Sequence, residues 1–127
     1  MIIYDGDYLL LGEDGTVVDS SGFPIVQRVN EKFWANNHTH ILKAINGIDN
    51  NLLELTLKNT NVQSIITGAV QPKINQTNLN SLKVKIPSNA EELKQTISSY
   101  FDKRQSLFNL NKKLNKLKQL YLKKFFA

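Results

Sequence analysis

The sequence predicts an α+β protein in which a small, mostly antiparallel β-rich domain at residues 1–87 precedes one long coiled-coil helix at residues 88–127. Short apolar runs separated by glycine, aspartate and asparagine turns predict the β-rich part. Ser88 and Glu91 match a helix-capping box directly after Pro87, which cannot continue a strand ladder. Beyond Ser88 the chain has no glycine or proline, and its apolar residues recur every three or four positions, as in an amphipathic helix.

The β-rich part is expected to contain several short strands. Residues 8–11 and 16–18 flank a Gly-Glu-Asp-Gly turn and predict a hairpin. The alternation of apolar and basic residues at 82–86 predicts a half-buried strand. Further strand candidates are residues 25–29, 38–45 and 62–66. Residues 51–58 are ambiguous, because alternating leucines favour a strand while the leucine content favours a helix, and we interpret them as a helix.

The C-terminal helix is expected to begin at Ser88 and to be about 55 Å long, at about 1.5 Å per residue. A domain of this size cannot cover such a helix. We therefore expect a second helix, from another copy of the chain or from a different protein, to bury its apolar stripe. Folding back onto the β-rich domain is the alternative, but it would need a helix break that the sequence lacks. The predicted pairing residues are Leu93, Ile97, Tyr100, Leu107, Leu110, Leu114, Leu117 and Tyr121.

Charge is distributed unevenly along the 127 residues, whose net charge is +5. Residues 1–60 carry four basic and eight acidic side chains, whereas residues 61–127 carry twelve basic and three acidic ones. A basic half attracts polyanions, nucleic acid first and anionic membrane second, although a solvated lysine-rich helix face would have the same composition. The chain has no cysteine, no apolar run of the ~18 residues that span a bilayer and no basic N-terminal leader, so we expect a cytoplasmic protein.

The sequence lacks the common motifs of catalysis. Phosphate-binding glycine loops, the nucleophile elbow and the HExxH zinc motif are all absent. A two-metal nuclease would need converging carboxylates. The acids here fall mostly in predicted turns, and we interpret Asp5, Asp7, Glu13, Asp14 and Asp19 as solvated loop charges. The prediction is a non-enzyme with no metal and no cofactor of its own.

Two histidines are spaced so that they would share one face of a strand. His38 and His40 have a spacing that zinc sites sometimes use, but a closed site needs four ligands and the chain supplies no cysteine. We favour two other roles for them. One is a hydrogen-bonded strand histidine, and the other is a side chain presented to a ligand.

Two polar stretches are candidates for DNA contact. Residues 33–38, FWANNH, combine aromatic surface with amides, and asparagine can bond adenine bidentately. Alternatively, Phe33 and Trp34 belong to the core and the asparagines form a turn. Residues 67–87, TGAVQPKINQTNLNSLKVKIP, place several amides and Lys73 in a loop that either contacts DNA or caps a turn.

Taken together, these stretches resemble the DNA sequence-specificity subunits of type I restriction-modification systems. YDGDYLL followed by Asp14-Gly15 resembles the family's hairpin, and FWANNH resembles its WvnnH segment. TGAVQPKIN, with VKIP farther on, resembles the block that precedes the family's spacer helix, and residues 117–126 resemble the end of that helix. The match covers essentially the whole chain in order. Two departures are Glu91-Glu92 in place of Glu-Gln and a beginning partway into a recognition module, so the chain resembles a partial module with one spacer helix.

The resemblance implies a non-catalytic component that directs an adenine methyltransferase and restriction complex to a target in double-stranded DNA. One implied partner is the modification subunit, which would carry S-adenosylmethionine. The other is a second copy of the chain or a second specificity half, joined through the C-terminal helix. No membrane is implied. Alternatives are an oligomerisation or adaptor module, an inactive remnant and, less favoured, a small nuclease. The candidate DNA-contact residues are Arg28, Lys32, Trp34, Asn37, His38, Gly68, Gln71, Lys73 and Asn75.

Overall fold

The computed structural model describes residues 2–126, which divide into two compact units, one up to Ser88 and one from Asn89 onward. Met1 and Ala127, the outermost residues of the two predicted domains, lie outside the described residues. The first unit contains a three-stranded antiparallel sheet, two short α-helices and a 3₁₀ turn, and the second is a single long helix. The α+β class with a long C-terminal helix is therefore confirmed.

The sheet consists of strands β1 (Ile2–Gly12), β2 (Val26–Ala35) and β3 (Thr39–Leu42), in the order β2-β1-β3. The central strand β1 runs antiparallel to both neighbours. The predicted hairpin between residues 8–11 and 16–18 is wrong, because β1 pairs with β2 and Val18 makes only an isolated bridge to Pro24. Val17 is fully buried in the core, so this segment is fixed by its packing and not by a strand ladder.

The ribbon formed by β1 and β2 is sharply curled. Ala35 lies opposite Ile2 and Thr39 lies opposite Gly12, at the two ends of a strand that would measure about 33 Å if flat. Four residue steps, however, span at most about 14 Å. The ring centroids of Tyr4 and Tyr8 are 5.6 Å apart, although residues four apart on a flat strand are separated by about 13 Å.

The curl is centred on Gly6, between the two tyrosines. Its φ is +135°, a backbone conformation that residues with a Cβ rarely adopt. Glycine at this position lets β1 bend while its ladder to β2 continues through the pair Gly6 and Glu31. The bend returns the end of β2 towards the end of β1.

The remaining elements of this unit are α1 (Asn50–Lys58), a 3₁₀ turn (Gln63–Ile65) and α2 (Gln76–Ser81). The helix interpretation of residues 51–58 is confirmed, and the Asp49 side chain caps α1 by accepting from the Leu52 amide. The strand prediction for residues 62–66 is wrong. Val62, Ile65 and Ile66 all pack in or against the core, which the spacing of a helical turn permits and strict alternation does not.

Residues 82–86 belong to no strand, so that prediction is wrong as well. Leu82 packs against the core and Val84 is half-buried, while Ile86 is exposed. The alternation therefore reports burial of one side of the segment and not a hydrogen-bonded ladder. The core itself is formed by Leu11, Val17, Val62 and Ile74, each at most 1% exposed.

The second unit is helix α3 (Ala90–Phe126), 37 residues and so about 55 Å long. Its first hydrogen bond runs from the Leu93 amide to the Asn89 carbonyl, so the predicted start at Ser88 is two residues too early. Ile97 is half-buried, and the other seven predicted pairing residues are exposed by 37–55%. Burial of the stripe by a second helix stays a prediction. No helix in the described part of the chain is both long and apolar enough to cross a bilayer.

Candidate nucleic-acid interface

Three loops meet at the end of β1, and we call them the three-loop junction: residues 13–15, 36–38 and 67–75. The Glu13 amide donates to the His38 carbonyl at 2.9 Å, and the Ile74 amide donates to the Glu13 carbonyl at 2.7 Å. The turn at 13–15 is thus bonded through its backbone to both other loops. The curl of the sheet makes this possible, because it brings the residues after β2 back to the end of β1.

The loop at 36–38 presents two of the predicted contact residues. Asn36 forms a turn by accepting from the His38 amide at 2.9 Å and from the Thr39 hydroxyl at 3.2 Å. His38 Nδ1 lies 3.1 Å from the Asp14 carboxylate, yet 57% of the His38 side chain is exposed. Asn37 is exposed at the tip of this turn. The alternative that the asparagines form a turn is therefore correct for Asn36 and Asn37, and the side chains of Asn37 and His38 are exposed in that turn.

The loop at 67–75 folds back on itself through a close pair of backbone bonds. Thr67 and Lys73 each donate to the other's carbonyl, at 2.9 and 2.8 Å. Gly68 has φ +99°, and a Cβ on it would lie 2.1 Å from the Gln71 carbonyl oxygen. Only glycine fits this position. The tight return leaves the side chains of Gln71 and Lys73 exposed beside the turn at 13–15.

Asn75, also a predicted contact, caps α2. Its side-chain oxygen accepts from the Asn78 amide at 2.7 Å, and the Asn78 side chain donates to the Ile65 carbonyl at 3.1 Å. The sequence left contact and capping as alternatives for these amides, and the structure shows capping for Asn75.

His40 has a structural role different from that of His38. Its Nε2 lies 2.6 Å from the carbonyl oxygen of Ile74, which ties β3 to the junction. The interpretation as a hydrogen-bonded strand histidine is confirmed for His40. The expectation that both histidines share a strand face is wrong, since His38 precedes β3. Among residues 2–126 no group of three or more histidine or acidic side chains could hold a metal ion.

Trp34 and Lys32 lie in the last four residues of β2, just before the loop at 36–38. Trp34 is 65% exposed opposite Ile3, which is 64% exposed, and Lys32 is exposed opposite Asp5. With Phe33, residues 3, 32 and 34 line a shallow apolar depression. Phe33 stacks on Tyr4 with ring centroids 5.4 Å apart and is half-buried. The alternative that both aromatic side chains belong to the core is wrong for Trp34, and Phe33 is half-buried against the tyrosine rings without being one of the buried core residues.

Arg28, in contrast, is occupied inside the domain and is not brought to the junction. Its guanidinium forms a two-point ion pair with Asp7, with one arm at 2.6 Å, and Nη1 donates to the Asn51 side chain at 3.1 Å. Glu54, 1% exposed, lies 3.5 Å from Nη1 and accepts from Lys58 at 3.0 Å. These five side chains join the sheet to α1, a role the sequence analysis missed.

This cluster also corrects the interpretation of Asp7 as a solvated loop charge. Asp7 lies in β1, and the hydrogen bond from Arg28 lowers the pKa of its carboxyl below the ordinary value. The same bond raises the pKa of Arg28. The i,i+4 spacing of Glu54 and Lys58 on a predicted helix was the available sequence signal for the cluster, whereas the link to Asp7 and Arg28 had none.

Comparison with known proteins supports the resemblance. A family model for the type I restriction modification DNA specificity domain matches residues 2–119. The chain belongs to this family. A putative type I restriction enzyme specificity subunit of Haemophilus influenzae is 30% identical to this specificity domain over 84 residues, which are 66% of the chain and 21% of that relative. The chain thus spans about a fifth of the relative's length. No solved structure matches it.

Within the specificity domain, the three-loop junction gathers both stretches that the sequence singled out. Asn37 and His38 come from one stretch, and Gln71 and Lys73 come from the other, more than 30 positions away in the chain. All four side chains are exposed on loops that backbone hydrogen bonds hold in place. This arrangement combines a cation for phosphate with amide and imidazole groups able to bond base edges.

Proposed function

We propose that this specificity domain supplies DNA sequence recognition to a type I restriction-modification complex, with the three-loop junction as its contact surface. The observation that carries the proposal is the convergence of exposed Asn37, His38, Gln71 and Lys73 on one braced set of loops. Membership of the specificity-domain family supports the assignment to DNA.

The mechanism is placement and not catalysis. Lys73 neutralises a phosphate and fixes the register, while the amides and the imidazole bond base edges in the major groove. Lys32 and the exposed ring of Trp34 extend the surface along β2. Gly68, Asn75 and Arg28 act indirectly: Gly68 permits the loop, Asn75 caps the following helix, and Arg28 holds the sheet on α1.

The proposal includes a methyltransferase partner. That subunit would bind S-adenosylmethionine and modify an adenine flipped out of the duplex. Helix α3 would join the domain to this partner, to a second copy or to another specificity half. The domain itself would contribute no catalytic group, and the complex would act in the cytoplasm.

Two substitutions separate base reading from phosphate binding. The chain is co-expressed with an adenine methyltransferase subunit, its target is found by sequencing methylated DNA, and binding to target and scrambled duplexes is measured across salt concentrations. Asn37→Ala should weaken binding to the target by about 1–3 kcal/mol and leave scrambled DNA unaffected. Lys73→Ala should weaken both duplexes and reduce the slope of log K against log salt by about 1.

Matched controls lie on exposed positions away from the junction. Asn80→Ala and Lys83→Ala remove the same groups and should leave target preference unchanged. Equal losses for Asn37→Ala and Asn80→Ala would contradict the assignment of the junction.

An adaptor function is the second candidate, and the exposed apolar stripe of α3 favours it. In that case the variants at Asn37 and Lys73 would have no DNA phenotype, while changes in the stripe would abolish assembly. Intact assembly with lost sequence preference supports recognition instead.

A further inference from the structure

Helix α3 carries a second surface besides its apolar stripe. From Lys103 to the end of the chain there are eight basic residues and no acidic one, so none of these charges has an acid three or four positions farther along the helix. Lys112, Lys116 and Lys123 are all exposed. We call these three residues the basic ridge.

The ridge occupies one face of the helix. At about 100° per residue its three lysines fall within about 40° of one another. They are centred about 160° from the middle of the stripe formed by Leu107, Leu110, Leu114, Leu117 and Tyr121. A partner helix on the stripe would therefore leave the ridge in solvent.

Lys112 is also held against an aromatic ring, since its Nζ lies 4.8 Å from the centre of the Phe108 ring. A cation–π contact of this kind restricts the lysine stem at an exposed site.

We propose that the basic ridge binds the phosphate backbone of double-stranded DNA without reading its sequence. Lys112 and Lys123 are about 17 Å apart along the axis, and a duplex carries about one charge per 1.7 Å with both strands counted, so a duplex segment of that length offers on the order of ten phosphates to three lysines. An anionic membrane is the competing polyanion, because a lysine-rich polar face opposite an apolar stripe also suits an interfacial helix. The match to a DNA specificity domain favours the duplex.

The proposal does not depend on base recognition by the three-loop junction. Phosphate contacts supply affinity that is independent of sequence and falls steeply with salt. The ridge would bind the complex to non-target DNA, while the three-loop junction would recognise the target sequence. Loss of one function is thus distinguishable from loss of the other.

The test compares two double variants of the full chain with equal charge loss. Binding to a fluorescein-labelled duplex of scrambled sequence is followed by anisotropy from low to moderate salt. The variant Lys112→Gln/Lys116→Gln should lower the slope of log K against log salt by about 1.8, the loss expected for two phosphate contacts. Lysine and glutamine have similar helix propensities, and unchanged circular dichroism would verify that the helix is intact.

The control is Lys83→Gln/Lys85→Gln, which removes two exposed lysines outside α3 and should change the slope by less than half as much. The proposal is overturned if the two variants have the same slope, or if the unaltered chain does not bind duplex at low salt. Vesicles of anionic phospholipid are tested in parallel, and ridge-dependent binding to vesicles but not to duplex would overturn it in favour of a membrane.

Discussion

At the scale of single residues, the loop at 67–75 depends on the missing side chain of Gly68. A methyl group on its Cα would overlap the Gln71 carbonyl oxygen. Any residue with a Cβ would also be strained at the positive φ of this position, which glycine adopts freely. The sequence motif marked this glycine as a DNA-contact candidate. The structure shows why the position needs glycine: the exposed side chains of Gln71 and Lys73 depend on the fold of this loop.

Gly68→Ala should therefore destabilise the first unit by about 2–3 kcal/mol, the strain of a left-handed alanine together with the displaced carbonyl. Gly47→Ala is the matched control, because Gly47 has φ +80° with nothing within 4 Å of its Cβ position, and only the strain of about 1 kcal/mol applies. Urea denaturation of both variants measures the difference. Equal losses would show that contact with Gln71 does not constrain the loop.

The ion pair of Asp7 and Arg28 makes stability depend on pH. The pKa of Asp7 is lowered in the folded protein by the hydrogen bond from Arg28, relative to about 3.9 in an unfolded chain. The stabilisation is therefore fully present above pH 4 and is lost as the pH falls through the folded pKa.

Asp7→Asn should cost about 1 kcal/mol at pH 7, a value discounted because the pair is partly exposed. The unfolding curves of the variant and the unaltered chain should converge as the pH is lowered below about 4. Asp5→Asn, at an exposed position in the same strand, should have no such effect. A constant difference between pH 3 and pH 7 would contradict the assignment.

At the scale of elements, helix α3 exposes an apolar stripe. A long helix in water draws most of its stability from packing such a face against a partner. Leu107, Leu114 and Tyr121 recur every seven residues, with Leu110 and Leu117 between them. This heptad spacing over the second half of the helix is typical of a coiled-coil seam. The first half is less regular, since Lys103 and Arg104 interrupt the spacing.

Leu114→Glu should weaken association through this seam at least tenfold, because it would place a charge in the middle of the predicted interface. Sedimentation of the chain alone and with the proposed methyltransferase partner measures the effect. Gln105→Glu adds the same charge about 160° away from the stripe and should leave association intact. Retention of every complex by Leu114→Glu would exclude the stripe as the pairing surface.

At the scale of the whole molecule, the chain combines a curled sheet domain with a long helix. The curl brings the two polar stretches together, and they lie at the end of β1 instead of at opposite ends of the ribbon. The helix supplies an apolar face and a basic face. These parts suit the proposed function, in which recognition, assembly and general DNA affinity would reside on separate surfaces.

The sequence by itself determined the fold class, the existence of α1 and α3, the family and the two polar stretches that meet at the three-loop junction. Each of these follows from local patterns: helical spacing, turn residues and short motifs along neighbouring positions. The tertiary structure decided which strands pair, that β1 bends at Gly6, that Asp7 and Glu54 hold Arg28 inside the domain, and that Asn75 caps a helix. The Asn75 cap joins residues only three positions apart. The strand pairing and the ion pairs of Arg28, in contrast, join residues 15 to 33 positions apart, and local patterns do not encode such pairings because packing selects among them.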